Sequence, residues 1–140
     1  MEVTKPLPLP DSRSAPFWSA AASHVLAIQQ CDRCGRFAHP PVSICPACLS
    51  VDASFSFSPV SGRGRLRTWT IMRDAFLPAF RPDVPWAIGE AELDDAPGVR
   101  LVARMVDDAD APFALDAPVE TLFRDVAPGV ALPVFALRRT

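Results

Sequence analysis

The chain has 140 residues, 14 basic against 16 acidic side chains, a formal charge of −2 and an apolar fraction of 49%. That length suits one compact domain with at most a small appended module, and that apolar fraction suits a packed protein rather than a disordered one. Near-neutral charge argues against a nucleic-acid binder, which carries a basic surplus or stripe, and no run reaches the eighteen or so apolar residues of a membrane helix.

Residues 1–13 hold Pro6, Pro8 and Pro10 among polar residues and are expected to be an extended, poorly ordered lead-in. They lack the cationic head and apolar run of a secretory signal, which points to a cytoplasmic protein. Ser14–Ser23 (SAPFWSAAAS) reads as a short helix, with Ser14 as its cap, Pro16 in the first turn and Phe17 and Trp18 as its apolar face. A strand over Val25–Gln30 then delivers the chain to Cys31.

Cys31-Asp-Arg-Cys34 and Cys45-Pro-Ala-Cys48 follow, with ten residues between the two units. In a reducing compartment such paired units read as a metal site before they read as disulfides. A two-residue spacer lets both thiolates of a unit meet one ion, and two such knuckles supply the four sulfurs of a tetrahedral zinc site. Iron is the alternative metal, since four thiolates also hold iron. Four protein ligands leave no open position, so the role expected is structural. His39 is read as a loop residue rather than a fifth candidate ligand. Gly35 suits the left-handed backbone that follows a knuckle, whereas Leu49 takes the same place after the second, whose turn is therefore expected to differ.

Phe55, Phe57 and Val60 alternate with serines in a further extended stretch, so residues 14–60 are read as helix plus zinc ribbon and 61–140 as a second unit. That second unit reads as five strands: Leu66–Arg73, Trp86–Leu93, Val99–Val106, Val119–Val126 and Val130–Leu137. In the third, Val99, Leu101, Ala103 and Met105 share one face and Arg100 and Arg104 the other. Turn signals lie at Asp94–Gly98 and Ala127–Gly129, and Pro133 assigns the last strand to an edge. Five short antiparallel strands suit a small barrel of the OB type, with an open sandwich or another small barrel as alternatives.

The order Phe17-Trp18, IQQCDRCG (Ile28–Gly35), Pro40-Pro41 and CPAC (Cys45–Cys48) resembles the zinc-ribbon half of the DUF35 family. SGRGRLRTWTIMR (Ser61–Arg73), FLPAFRPDVPWAIGEAELDD (Phe76–Asp95) and PVETLFRDVAPGVALPVF (Pro118–Phe135) resemble its OB-fold half. Leu49 and Ala117 stand where that family commonly has glycine. The resemblance implies a mainly β fold: an N-terminal helix, a rubredoxin-like zinc ribbon and a five-stranded OB-fold barrel. It also implies a non-catalytic, acyl-CoA-binding accessory subunit, hetero-oligomeric with a thiolase-like enzyme (a thiolase, a lipid-transfer-type homologue, or a related aldolase or synthase).

The residues suit an accessory role. No cysteine remains as a nucleophile once four bind metal, and no nucleophile elbow or phosphate-cradling glycine loop is present. Glu90 and Glu92 share a strand face and read as solvated, and Arg63, Arg65 and Arg67 form a small basic row. For CoA, cations serve the phosphates and apolar surface serves the rest. Arg73 and Arg81 with Phe76, Phe80 and Trp86 are the candidate set, on a loop stiffened by three prolines (Asp74–Pro85). The same apolar loop could instead plug the barrel mouth or dock the partner. The rival readings are a single-stranded nucleic-acid binder, disfavoured by one lysine and no tyrosine, and a stand-alone enzyme on CoA thioesters.

Overall fold

Strict alternation decides where the barrel wall stands. Val99, Leu101, Ala103 and Met105 are all buried, Arg100 is exposed and Arg104 half-buried, and Trp86–Leu93 alternates half-buried and buried along its length. The structure, a computed structural model, describes residues 4–139. The elements in chain order are α1 (Ala15–Ala22), β1 (Leu26–Cys31), β2 (Phe37–Ala38), β3 (Phe55–Val60), β4 (Gly64–Met72), β5 (Trp86–Leu93), β6 (Arg100–Arg104), β7 (Pro118–Ala127) and β8 (Val130–Leu137). A 3₁₀ segment, Pro78–Asp83, sits between β4 and β5.

The last five strands form one antiparallel sheet in the order β6-β5-β4-β7-β8. It curls until Met105 bridges Phe135 in parallel and the Val106 N–H donates to the Phe135 carbonyl at 2.7 Å. Closure of this kind removes a free sheet edge. The five-stranded barrel expected from the sequence is thus present, and β8, carrying Pro133, lies at the end of the order.

The first three strands make a second sheet, β2-β1-β3, in which Leu26–Cys31 pairs in full with Phe55–Val60. Leu26 and Ile28 of β1 and Phe17 of α1 belong to the same buried cluster as Leu66, Leu101 and Phe135 of the barrel. One continuous core therefore spans helix, ribbon sheet and barrel. His24 reinforces the seam from outside, with Nε2 at 2.8 Å from an Asp125 carboxylate oxygen and its ring stacked on Phe123.

The start of α1 differs from expectation. Ser14 has helical φ/ψ and makes no side-chain cap bond. Asp11 takes that role one turn earlier: its Oδ1 accepts from the N–H groups of Arg13 and Ser14, and its carbonyl accepts from Ala15 at 2.8 Å. The Asp-first turn satisfies the N–H groups of Arg13, Ser14 and Ala15 ahead of the helix, so the polar residue that opens this stretch stands three positions earlier than expected.

Candidate functional site

The knuckles are built from backbone upward. In each, the N–H of the residue after the second cysteine donates to the carbonyl of the first: Gly35 to Cys31 and Leu49 to Cys45, both at 2.9 Å. Gly35 and Leu49 are both left-handed, with φ of 78° and 57°. The second turn therefore repeats the first, contrary to expectation, because closing the knuckle outweighs the β-carbon clash at Leu49. Asp32 ties the first knuckle to β3 by accepting from the hydroxyls of Ser54 and Ser56 at 2.8 Å.

All four sulfurs lie within 4.8 Å of one another, with Cys31 to Cys48 at 3.9 Å and Cys34 to Cys45 at 3.5 Å. A tetrahedron with metal–sulfur bonds of about 2.3 Å sets its sulfurs about 3.8 Å apart, whereas a disulfide needs about 2.05 Å. The donor set therefore fits a tetrahedral thiolate ion and no disulfide. Backbone N–H groups of Cys48 and Ala47 hold the Cys45 thiol down to about 6, against the cost of burial. At Cys34 the Arg36 N–H also lowers the thiol, yet burial and the neighbouring sulfurs outweigh it and push it up to about 11. Four thiolates crowd one another in this way until a dication lies between them. His39 is not in this cluster: its ring packs on Phe17, 5.1 Å between centroids.

A single buried side chain orients the rest of the ribbon. Gln29, on β1, is only 3% exposed among apolar neighbours, and its amide meets the loop like an extra strand. Its Nε2 donates to the Val42 carbonyl at 2.9 Å and its Oε1 accepts from the Val42 N–H at 2.7 Å. That pair holds Pro40 and Pro41 in place as one wall of a cleft.

The cleft, about 620 Å³, runs between α1, this loop and the outer face of the barrel. Phe17, Trp18 and His39 stand on the ribbon side, and Trp86, Leu101 and Val134 on the barrel side. Its mouth is charged. Lys5 and Arg104 both reach one oxygen of Asp83, at 2.6 Å and 3.0 Å. Lys5 also lies 5.5 Å over the Phe80 ring and Arg104 lies 4.9 Å over the Trp86 ring.

The five residues proposed from sequence for CoA are not brought together as one set. Phe80 and Trp86 meet as a tilted pair, 6.1 Å between centroids, and both line the cleft. Phe76 is 94% exposed at the loop tip, and the Arg81 Nε turns back to the Ala75 carbonyl at 3.4 Å. Arg73 lines a separate hollow with Asp108 and Asp110. Arg104 and Lys5 stand at the mouth instead. Arg104 was visible as an arginine on the polar face of its strand; Lys5 gave no signal beyond being the chain's one lysine. Of the basic row, Arg67 is neutralised by Glu92 at 2.7 Å and by Asp116, while the Arg65 guanidinium donates to the Asp116 carbonyl at 3.2 Å; on the neighbouring strand Arg100 binds Glu90 at 3.0 Å.

The family profile described as the ChsH2 rubredoxin-like zinc ribbon domain matches residues 18–52, and the ChsH2 C-terminal OB-fold domain matches residues 58–124. The chain belongs to the DUF35 family. Among solved structures it is similar to an Ltp2–ChsH2(DUF35) aldolase, with 28% identity, a TM-score of 0.78, and coverage of 93% of this chain and 98% of that one. It also shares its fold with a DUF35 protein of unknown function from Sulfolobus solfataricus, at 12% identity and a TM-score of 0.60, covering 91% of this chain and 86% of that one. No curated protein matches it. The DUF35 assignment makes the first sheet and its knuckles a rubredoxin-like zinc ribbon and the closed sheet an OB-fold. Among the described residues no helix is long and apolar enough to cross a membrane.

Proposed function

We propose that this DUF35 chain is a non-catalytic accessory subunit of a thiolase-like enzyme and that it helps bind or channel an acyl-CoA thioester. The observation that carries the reading is the likeness, over 93% of the chain, to the DUF35 component of an Ltp2–ChsH2 aldolase. That assembly supports a partner enzyme subunit for this chain as well. The acyl-CoA part rests on the family resemblance and is supported by an apolar cleft with aromatic faces and cations at its mouth. Phe80 and Trp86 are the members of the expected CoA set that fit this role; Arg73, Phe76 and Arg81 are left for partner contact.

We assign the four cysteines a structural zinc ion. Bound there, zinc would supply folding stability and no reacting position, since all four sites are taken by Cys31, Cys34, Cys45 and Cys48. The thiols suit a reducing, cytoplasmic setting. A nucleic-acid role finds less support, because Arg67 and Arg100 are committed to carboxylates rather than open to phosphates.

The test is co-expression with a candidate thiolase-like partner enzyme, followed by size-exclusion chromatography. Co-elution in fixed stoichiometry is expected. Separate elution, or turnover of acyl-CoA by this chain alone, would overturn the reading.

A further inference from the structure

We infer that Lys5 and Arg104 are the anion-binding pair of the cleft, with Asp83 as an internal counter-ion that a ligand phosphate displaces. This deepens the acyl-CoA reading and rests on it for the identity of the ligand, while the anion site itself stands on the geometry.

Two cations converge on a single carboxylate oxygen, at 2.6 Å and 3.0 Å, so the mouth carries one positive charge more than Asp83 cancels. Arg124 lines the same cleft and adds a third cation. The pair is also held from below: Arg104 stacks over Trp86 and Lys5 over Phe80, which fixes both heads at the rim of an apolar cavity. Lys5 first, then Arg104, keeps the Asp83 carboxyl below the usual carboxylate range, so Asp83 is ionised and competes for both.

Lys5 reaches Asp83 across 78 residues of chain. The N-terminal segment thus lies against the mouth, held there by an exposed ion pair and the Lys5–Phe80 contact. Such a pair is weak enough to exchange. A phosphate offers three acceptor oxygens and up to two charges, against one oxygen of Asp83, and so outcompetes it for both cations at once. The ligand class is an amphiphile with a phosphorylated head and an apolar body, the head at Lys5 and Arg104 and the body towards Phe17 and Trp18.

Three variants of the full chain test this: Asp83→Asn, Arg104→Gln and Lys5→Met, each checked for an unchanged fold by thermal melting. Isothermal titration uses decanoyl-CoA and the uncharged decanoyl-pantetheine; a thermal-shift series uses inorganic pyrophosphate at constant ionic strength. Decanoyl-CoA should bind Asp83→Asn about three- to tenfold tighter and Arg104→Gln about tenfold weaker, with Lys5→Met weakened less. Decanoyl-pantetheine should change less than about twofold in all three, since it has no phosphate to place. Asp83→Asn binding decanoyl-CoA no tighter than wild type, or decanoyl-pantetheine following the same pattern, would overturn the assignment. Arg104-dependent stabilisation by pyrophosphate without any binding of decanoyl-CoA would keep the anion site and remove the acyl-CoA reading. If decanoate, rather than decanoyl-CoA, tracks Asp83, the anion is a carboxylate and the phosphate assignment is wrong.

Discussion

Replacing Gln29 with leucine isolates the contact that holds the ribbon loop against the cleft. Leucine fits the apolar surroundings, so the loss is that of two short hydrogen bonds, at 2.9 Å and 2.7 Å. Each is worth about 1 kcal/mol, and the Val42 N–H and carbonyl are left unpaired at about 1–3 kcal/mol each where water is kept out. Val42 is only half-buried, so water recovers part of that cost, and burying leucine in place of an amide offsets more. The net expectation is a loss of about 2 kcal/mol, or a fall of about 6–8 °C in the melting temperature for a domain of this size. Circular dichroism melts would measure it. Hydrogen exchange should show the opening concentrated at residues 39–43, with the barrel strands still protected. A variant as stable as wild type, or one whose exchange rises evenly through the chain, would refute the role given to this amide.

The remaining predictions are smaller or broader. The Nδ1 atom of His39 is buried with no partner among the described residues, so His39→Phe, which keeps the ring packing on Phe17, should stabilise the protein by about 1 kcal/mol at neutral pH. Burial holds the His39 imidazole below its ordinary value of 6.5, so the unfolded chain takes up this proton first and stability falls as pH drops through that value. The phenylalanine variant should flatten that part of a melting-temperature profile, and an unchanged profile would contradict it. Leu49→Gly relieves the left-handed strain after the second knuckle and should gain about 0.5–1 kcal/mol, whereas Leu49→Ala should gain nothing; denaturant titration separates them. Cys45→Ser or chelation should release zinc, seen by elemental analysis, and should abolish association with the partner before altering ligand binding at the cleft. Association that survives metal loss would separate the ribbon from the interface.

Period and spacing made most of the fold legible. The alternation of Val99 to Met105 and the Pro-Gly turns located the barrel strands, and two CxxC units located a cluster that indeed converges in space. The cleft was not legible, because its walls come from Phe17, His39, Leu101 and Val134, which no local pattern connects. Loop residues misled for a related reason. Arg73, Phe76 and Arg81 are neighbours in sequence, but they stand just after β4, in the loop and inside the 3₁₀ turn respectively, so no single period relates them and their side chains meet different surroundings. Gln29 looked like an ordinary polar strand position; only the approach of Val42 shows that it is an anchor. Lys5 is an extreme case, since its partner Asp83 stands 78 residues away.

The central claim is that this chain equips another enzyme rather than acting alone. Its most direct test is to titrate the zinc-loaded chain into the purified thiolase-like partner while following acyl-CoA turnover. The account predicts no turnover by this chain alone and partner activity that rises and then saturates at a fixed molar ratio. Turnover by this chain alone, or partner activity indifferent to its addition, would contradict it.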